Sequence, residues 1–137
     1  MKKTEINLAL RVLEELINVG VFHFCVCPGS RNSEFVILLD NLDDLKPNYF
    51  YEERSAAFFA LGKARSEKKP VAIITTSGTA TAELLPAVME SYYSGVPLVV
   101  VTADRPRHFR GTGAPQSAEQ VGLYGPYVSY ELDLEGD

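Results

Sequence analysis

The chain has 137 residues, 46% of them hydrophobic, which is enough for a single domain with its own core and too few for two. Its 13 basic and 18 acidic residues leave a formal net charge of −5, which excludes the basic footprint of a nucleic-acid binder. The opening "MKKTEINLALRVLEEL" contains acidic residues and no long apolar run, so neither a signal peptide nor a membrane span is expected, and the cytoplasm is the expected compartment.

In chain order, "TEINLALRVLEELINVG" places Ile6, Ala9, Leu10, Leu13, Leu16 and Ile17 at helical spacing, with Thr4 able to cap the start and Gly20 suited to the stop. "VFHFCVC" follows as a strand. Its Cys25 and Cys27 share a face with His23, a poor placement for a disulfide and a thin set of metal ligands, so core packing is the better reading and no metal site is assigned. The turn "PGSRNS" leads into a short helix from about Ser33, its expected N-cap, to Leu39, and "NYFY" reads as a brief strand.

A helical pattern returns from Glu53 to Ser66, rich in alanine where close packing is needed. "PVAIITT" is a continuous β-branched run, the mark of a strand buried on both faces. "SGTATAELLPAVMESYYSG" is helical, with Pro86 predicting a kink between Ala82 and Pro86, and "VPLVVVTA" is a fourth buried strand. Residues 104–126 form a long loop, of the kind that usually carries function, and "YVSYELDL" alternates and predicts a fifth strand.

Strands and helices in alternation, with fully apolar strands, predict an α/β fold: a doubly wound, mostly parallel sheet with helices on both faces. Such sheets bind ligands outside the carboxyl ends of their strands. Each unusual segment falls at such an end: "PGSRNS" after the first strand, "YEER" after the second, "TSGTA" after the third and "ADRPRHFRGTGAPQS" after the fourth.

Ser30 and Arg31 offer a hydroxyl and a guanidinium able to grip a carboxylate or phosphate. Ser77, Gly78 and Thr79 stand at a helix start, where free N–H groups accept an anion or a polar ring edge. Arg105, Arg107, Arg110 and Gln116 share one loop, with Asp104 able to hold Arg105, a set suited to a substrate with more than one carboxylate. Neither Gly-bearing turn is a phosphate-loop or dinucleotide fingerprint. Of Glu52 and Glu53, strand alternation lets only one face the site.

Together "CPGSRNS", "EERSAAFFALGKA", "PVAIITTSGTATAELLPAVMES" and "VPLVVVTADRPRHFRGTGAPQS" resemble the N-terminal, pyrimidine-binding domain of the 2-succinyl-5-enolpyruvyl-6-hydroxy-3-cyclohexene-1-carboxylate synthases, thiamine-diphosphate enzymes of menaquinone biosynthesis. The resemblance runs from about residue 5 to about residue 125. It implies that Glu53 is the catalytic and cofactor-binding carboxylate, hydrogen-bonded to the pyrimidine nitrogen and promoting deprotonation of the thiazolium carbon. It implies that Ser77, Gly78 and Thr79 lie beside the cofactor's pyrimidine, and that Ser30, Arg31, Arg105 and Gln116 hold the carboxylates of 2-oxoglutarate and isochorismate. In that family the carbanion left by decarboxylation of 2-oxoglutarate adds to isochorismate.

The family's "GDG" and "NN" signature for diphosphate and Mg2+ (or Mn2+) is absent here, so those ligands are expected on another domain. Residues 1–137 are therefore expected to be a single pyrimidine-binding domain of a longer, homodimeric or homotetrameric enzyme, inactive alone. Two alternatives remain open at this level: a subunit of a split thiamine enzyme, and a non-catalytic anion-binding α/β domain.

Overall fold

The computed structural model describes residues 3–135, with side chains from residue 8 onward. Four strands, β1 (His23–Val26), β2 (Asn48–Tyr49), β3 (Val71–Thr75) and β4 (Leu98–Thr102), form one all-parallel sheet in the order β2-β1-β3-β4. His23 lies beside Val71 and Val26 beside Ile74, and β3 continues in step with β4 from Val71 and Leu98 to Thr75 and Thr102.

Alternation along the strands divides the core in two. Phe24, Val26, Ala72 and Ile74 pack with Leu13 of α1 (Lys3–Asn18) and Leu39 of α2 (Ser33–Asp40). Cys25, Cys27, Val71 and Ile73 face α3 (Glu53–Glu67) and α5 (Leu85–Ser94). Ala56, Ala57, Ala60 and Ala64 of α3 are all fully buried, and their short side chains let that helix lie close on the sheet. The expected cap at Thr4 and the Ile6 side chain lie outside the described side chains.

Three expectations are corrected. The helix foreseen over 77–95 is two helices, a single turn α4 (Thr79–Ala82) and α5, separated at Glu83 and Leu84. Pro86 sits in the first turn of α5, where a missing N–H is harmless, so the chain restarts rather than bends. Asn32, not Ser33, precedes α2, and the Ser33 hydroxyl donates to the Ser30 carbonyl. Residues 128–135 form no strand, because Asp133 and Glu135 are drawn to Arg107 and Arg110 instead of the segment joining the ladder.

Candidate functional site

A parallel sheet gathers all its carboxyl ends on one edge. The strand order reverses between β1 and β3, since β2 lies outside one and β4 outside the other, and this opens a crevice between their end loops. Two buried polar residues shape the loop after β1. Asn32, fully buried, donates from Nδ2 to the Cys27 carbonyl at 2.9 Å and accepts from Gly29 N–H at 2.7 Å, closing the turn on itself. Gly29 backs onto Thr76 so closely that a Cβ would stand 2.5 Å from the Thr76 Cβ. Ser30 and Arg31 are left exposed at the tip. The hydroxyls of Thr75 and Thr76, at the end of β3, are buried without a protein partner.

The adjacent glutamates differ in what they touch. Glu52 is extended, at φ −135° and ψ 122°, and caps α3: it accepts from Arg54 N–H at 3.0 Å, from Ser55 N–H at 2.7 Å and from the Ser55 hydroxyl. Those bonds, the Ser55 hydroxyl first, hold its carboxyl below the usual range. Glu53, the first residue of the helix, is half-buried and has no side-chain hydrogen bond or ion pair among the described residues. It lies close to Cys27: burial first, then the charge of Glu53 and next that of Glu52, pushes the Cys27 thiol up to about 12.

The turn after β3 is gripped by the long loop. Ser77 Oγ donates to the Gln116 carbonyl at 2.9 Å, and Gln116 Nε2 donates back to the Ser77 carbonyl at 3.2 Å. Gly78 is at φ +81°, and a Cβ there would meet Gln116 Cγ at 2.9 Å. Its N–H, expected to be free for a ligand, donates to Gln120 Oε1 at 2.8 Å. Gln120 then donates from Nε2 to the Ala103 carbonyl at 3.0 Å.

The loop arginines separate into two kinds. Arg110 forms ion pairs with Asp104 at 3.2 Å and Asp133 at 2.8 Å, and Arg107 with Asp133 at 3.1 Å and Glu135 at 3.2 Å. Asp104 was expected to hold the Arg105 side chain. It instead accepts from the Arg105 backbone N–H at 2.7 Å and turns its other oxygen to Arg110. Arg31 and Arg105 have no carboxylate partner among the described residues. The Arg105 guanidinium lies 5.8 Å from the centre of the Phe109 ring with its Nε buried and unpaired, as is the Nε of Arg110. Ser30, Arg31 and Arg105 line one open cleft that runs beside β4. Glu53 stands apart from that cleft, by Cys27, while Ser77, Gly78 and Gln116 are joined to one another between β3 and the loop. Thr79, exposed at the start of α4, opens the same turn.

His23, considered above with the two cysteines, pairs with Glu67 at 2.6 Å at the far end of the sheet, while Cys25 and Cys27 are buried. Sequence reasoning missed Asn32 and Gln120, which read as ordinary loop residues. The spacing of Gln116 and Gln120 was visible, but spacing has no meaning in a loop until its backbone path is known.

An open parallel α/β domain, with a carboxylate free at one strand end and guanidinium groups free at others, is the ligand-binding type of doubly wound sheet. The chain belongs to the family of thiamine pyrophosphate enzyme N-terminal TPP-binding domains, whose model matches residues 6–123. Over 134 residues, 98% of the chain, it is 54% identical to a protein of Bdellovibrio bacteriovorus named 2-succinyl-5-enolpyruvyl-6-hydroxy-3-cyclohexene-1-carboxylate synthase. Proteins of the same name from Halobacterium salinarum and Geobacillus thermodenitrificans are 51% and 46% identical over 92% and 89% of the chain. The chain spans 26%, 22% and 21% of these three relatives, about a quarter of their length.

Proposed function

We propose that residues 1–137 are the pyrimidine-binding domain of a synthase that decarboxylates 2-oxoglutarate and joins the remaining carbon unit to isochorismate. The observation that carries the reading is the division of labour at Glu52 and Glu53. One carboxylate is consumed as a helix cap, and the cap fixes its neighbour, unpartnered and half-buried, just after β2 and beside Cys27. A carboxylate so placed fits the ring nitrogen of the family's cofactor. When bound, thiamine diphosphate supplies an acidic thiazolium carbon able to attack a 2-oxo acid.

Glu53 holds a proton at the pyrimidine nitrogen. Ser77, Gly78 and Thr79 form the wall beside the ring, and the absence of a Cβ at Gly78 lets Gln116 close on that wall. Arg31 and Arg105 receive the substrate carboxylates by charge-assisted hydrogen bonds, joined by Ser30 and by Gln116, whose amide nitrogen is already engaged with Ser77. No group of three or more potential ligands among the described residues could hold a metal, and magnesium or manganese would be bound with the diphosphate by the rest of the enzyme.

The same reading makes the enzyme a homodimer or homotetramer acting in the cytoplasm, and no described helix is long and apolar enough to cross a membrane. Tyr92 and Tyr93, 53% and 72% exposed, edge-on to one another and clustered with Tyr127, supply an apolar surface for assembly, which sedimentation would detect. Two measurements test the function. The full-length enzyme should release carbon dioxide from 2-oxoglutarate only when isochorismate can accept the product, and no turnover with this pair overturns the reading. Calorimetry on the 137-residue chain with thiamine diphosphate and magnesium should show no binding in the micromolar range. Tight binding by the chain alone would refute the division of the cofactor between domains.

A further inference from the structure

Gln120 joins three segments that meet at the carboxyl edge of the sheet. Its Oε1 accepts from Gly78 N–H after β3, its Nε2 donates to the Ala103 carbonyl after β4, and its own backbone belongs to the long loop. Four residues upstream, Gln116 makes the reciprocal pair with Ser77. Gln116 does so at φ 57°, a left-handed conformation that residues other than glycine seldom adopt. An isolated loop would relax from that conformation. Three hydrogen bonds at two glutamines instead fix it against a turn in which Thr75, Thr76, Ser77 and Gly78 are all buried, and a fourth ties Gln120 to Ala103.

The amide of glutamine suits this bridge because it offers one acceptor and one donor at opposite corners. A carboxylate would keep the first bond and set an oxygen against the Ala103 carbonyl in place of the second. Ala103 directly precedes Asp104 and Arg105, so the bridge also sets where Arg105 leaves the sheet. Gln120 lines the cleft beside Asp104 and Arg105, with both amide atoms engaged by the protein. We infer that Gln120 is a positioning residue: its side-chain amide holds the turn at Gly78 and the exit of β4 in one register, and thereby places Gln116 and Arg105 for the substrate. The inference rests on the substrate contacts proposed above.

Two substitutions and one control separate the possibilities. Gln120→Met keeps the length and removes both hydrogen bonds. In the 137-residue chain it should lower the exchange protection of the Gly78 amide about tenfold and leave Ile73, in the middle of β3, unchanged. Gln120→Glu should weaken the bridge at neutral pH and regain it as the pH falls through the carboxylate range, because the protonated acid donates to Ala103 again. The charged residues nearest it along the chain are Glu119, Arg110 and Glu131, and Asp104, Arg105 and Glu131 line the cleft with it. In the full-length enzyme, Gln120→Met should raise KM for 2-oxoglutarate about tenfold with a smaller change in kcat, and Gln120→Glu should show the same recovery at lower pH.

Unchanged Gly78 protection in both variants, or equal loss of protection at Ile73, overturns the inference. Arg105→Ala tells its failure from that of the substrate reading. If Arg105→Ala spares substrate use, the proposed contacts are wrong whatever Gln120 does. If Arg105→Ala impairs substrate use and Gln120→Met does not, the positioning role is wrong.

Discussion

β3 and β4 have nearly the same composition, "VAIIT" and "LVVVT", and run side by side in matched register, yet all five residues of β3 are buried and all five of β4 are half-exposed. The difference continues past their ends. β3 leads into a tight, buried turn fixed by hydrogen bonds to two glutamines. β4 leads into a long loop whose Arg107 and Arg110 are held by Asp104, Asp133 and Glu135. The pyrimidine side of the proposed site is thus part of the core, and the substrate side is held largely by charge. The first should be indifferent to salt and acid, and the second responsive to both.

The largest effect is expected on the core side. Glu53→Gln keeps volume and a hydrogen bond but cannot share a proton, so exchange at the thiazolium carbon in the full-length enzyme should slow by roughly 10²–10⁴-fold. Glu52→Gln should change that exchange little, because an amide oxygen can still accept from the first amides of α3. Equal defects at the two positions would remove the distinction between cap and catalyst.

A glycine pair measures how rigid each side is. Gly78→Ala must adopt a glycine-only conformation and push against Gln116, and should cost about 2–4 kcal/mol in a denaturant titration. Gly113, at φ +69° with no atom within 4 Å of its added Cβ, should lose only about 1 kcal/mol on the same change. Similar costs would show that the turn after β3 is no tighter than the outer loop.

On the charged side, Arg31→Ala or Arg105→Ala should remove one charge-assisted contact, roughly 1.5–3 kcal/mol or one to two powers of ten in substrate use. Cofactor binding should be spared. A loss of cofactor binding with normal substrate saturation would move these arginines to the other side of the comparison.

The smallest effect concerns residues 128–135. A hydrogen bond from Arg110 above all holds the Asp133 carboxyl below its usual range, so this contact is intact at neutral pH and is lost only as the pH falls through that depressed value. Acid, or salt well above physiological strength, should therefore raise amide exchange in 128–135 before it touches Gly78. Simultaneous loss of both would mean that the two sides share one source of stability.

Sequence periodicity sufficed for α1, α3 and the four strands, because apolar spacing reports directly which face is buried. That the helical run is interrupted near Pro86 was legible, but not that the chain ends one helix there and starts another with Pro86 in its first turn. Edge position was not legible: "LVVVT" reads as a fully buried strand, and only the topology places it outermost. "YVSYELDL" alternates as a strand does, but the same alternation aims Asp133 and Glu135 at arginines more than twenty residues away in sequence. The resemblance singled out Glu53, while the reason its neighbour is unavailable, a glutamate serving as N-cap where Ser, Thr, Asp or Asn is usual, appears only with the backbone in place.

The buried thiols turn β1 into a built-in clock. Burial pushes both Cys25 and Cys27 up to about 12, so at pH 8 the thiols stay protonated while the sheet is closed. A thiol reagent added to the native chain therefore reads the rate at which β1 becomes exposed. Cys27 lies next to Glu53 at the site end and Cys25 two residues deeper. Single-cysteine variants would report whether the crevice opens alone or only with the whole sheet, without attaching any foreign label beforehand.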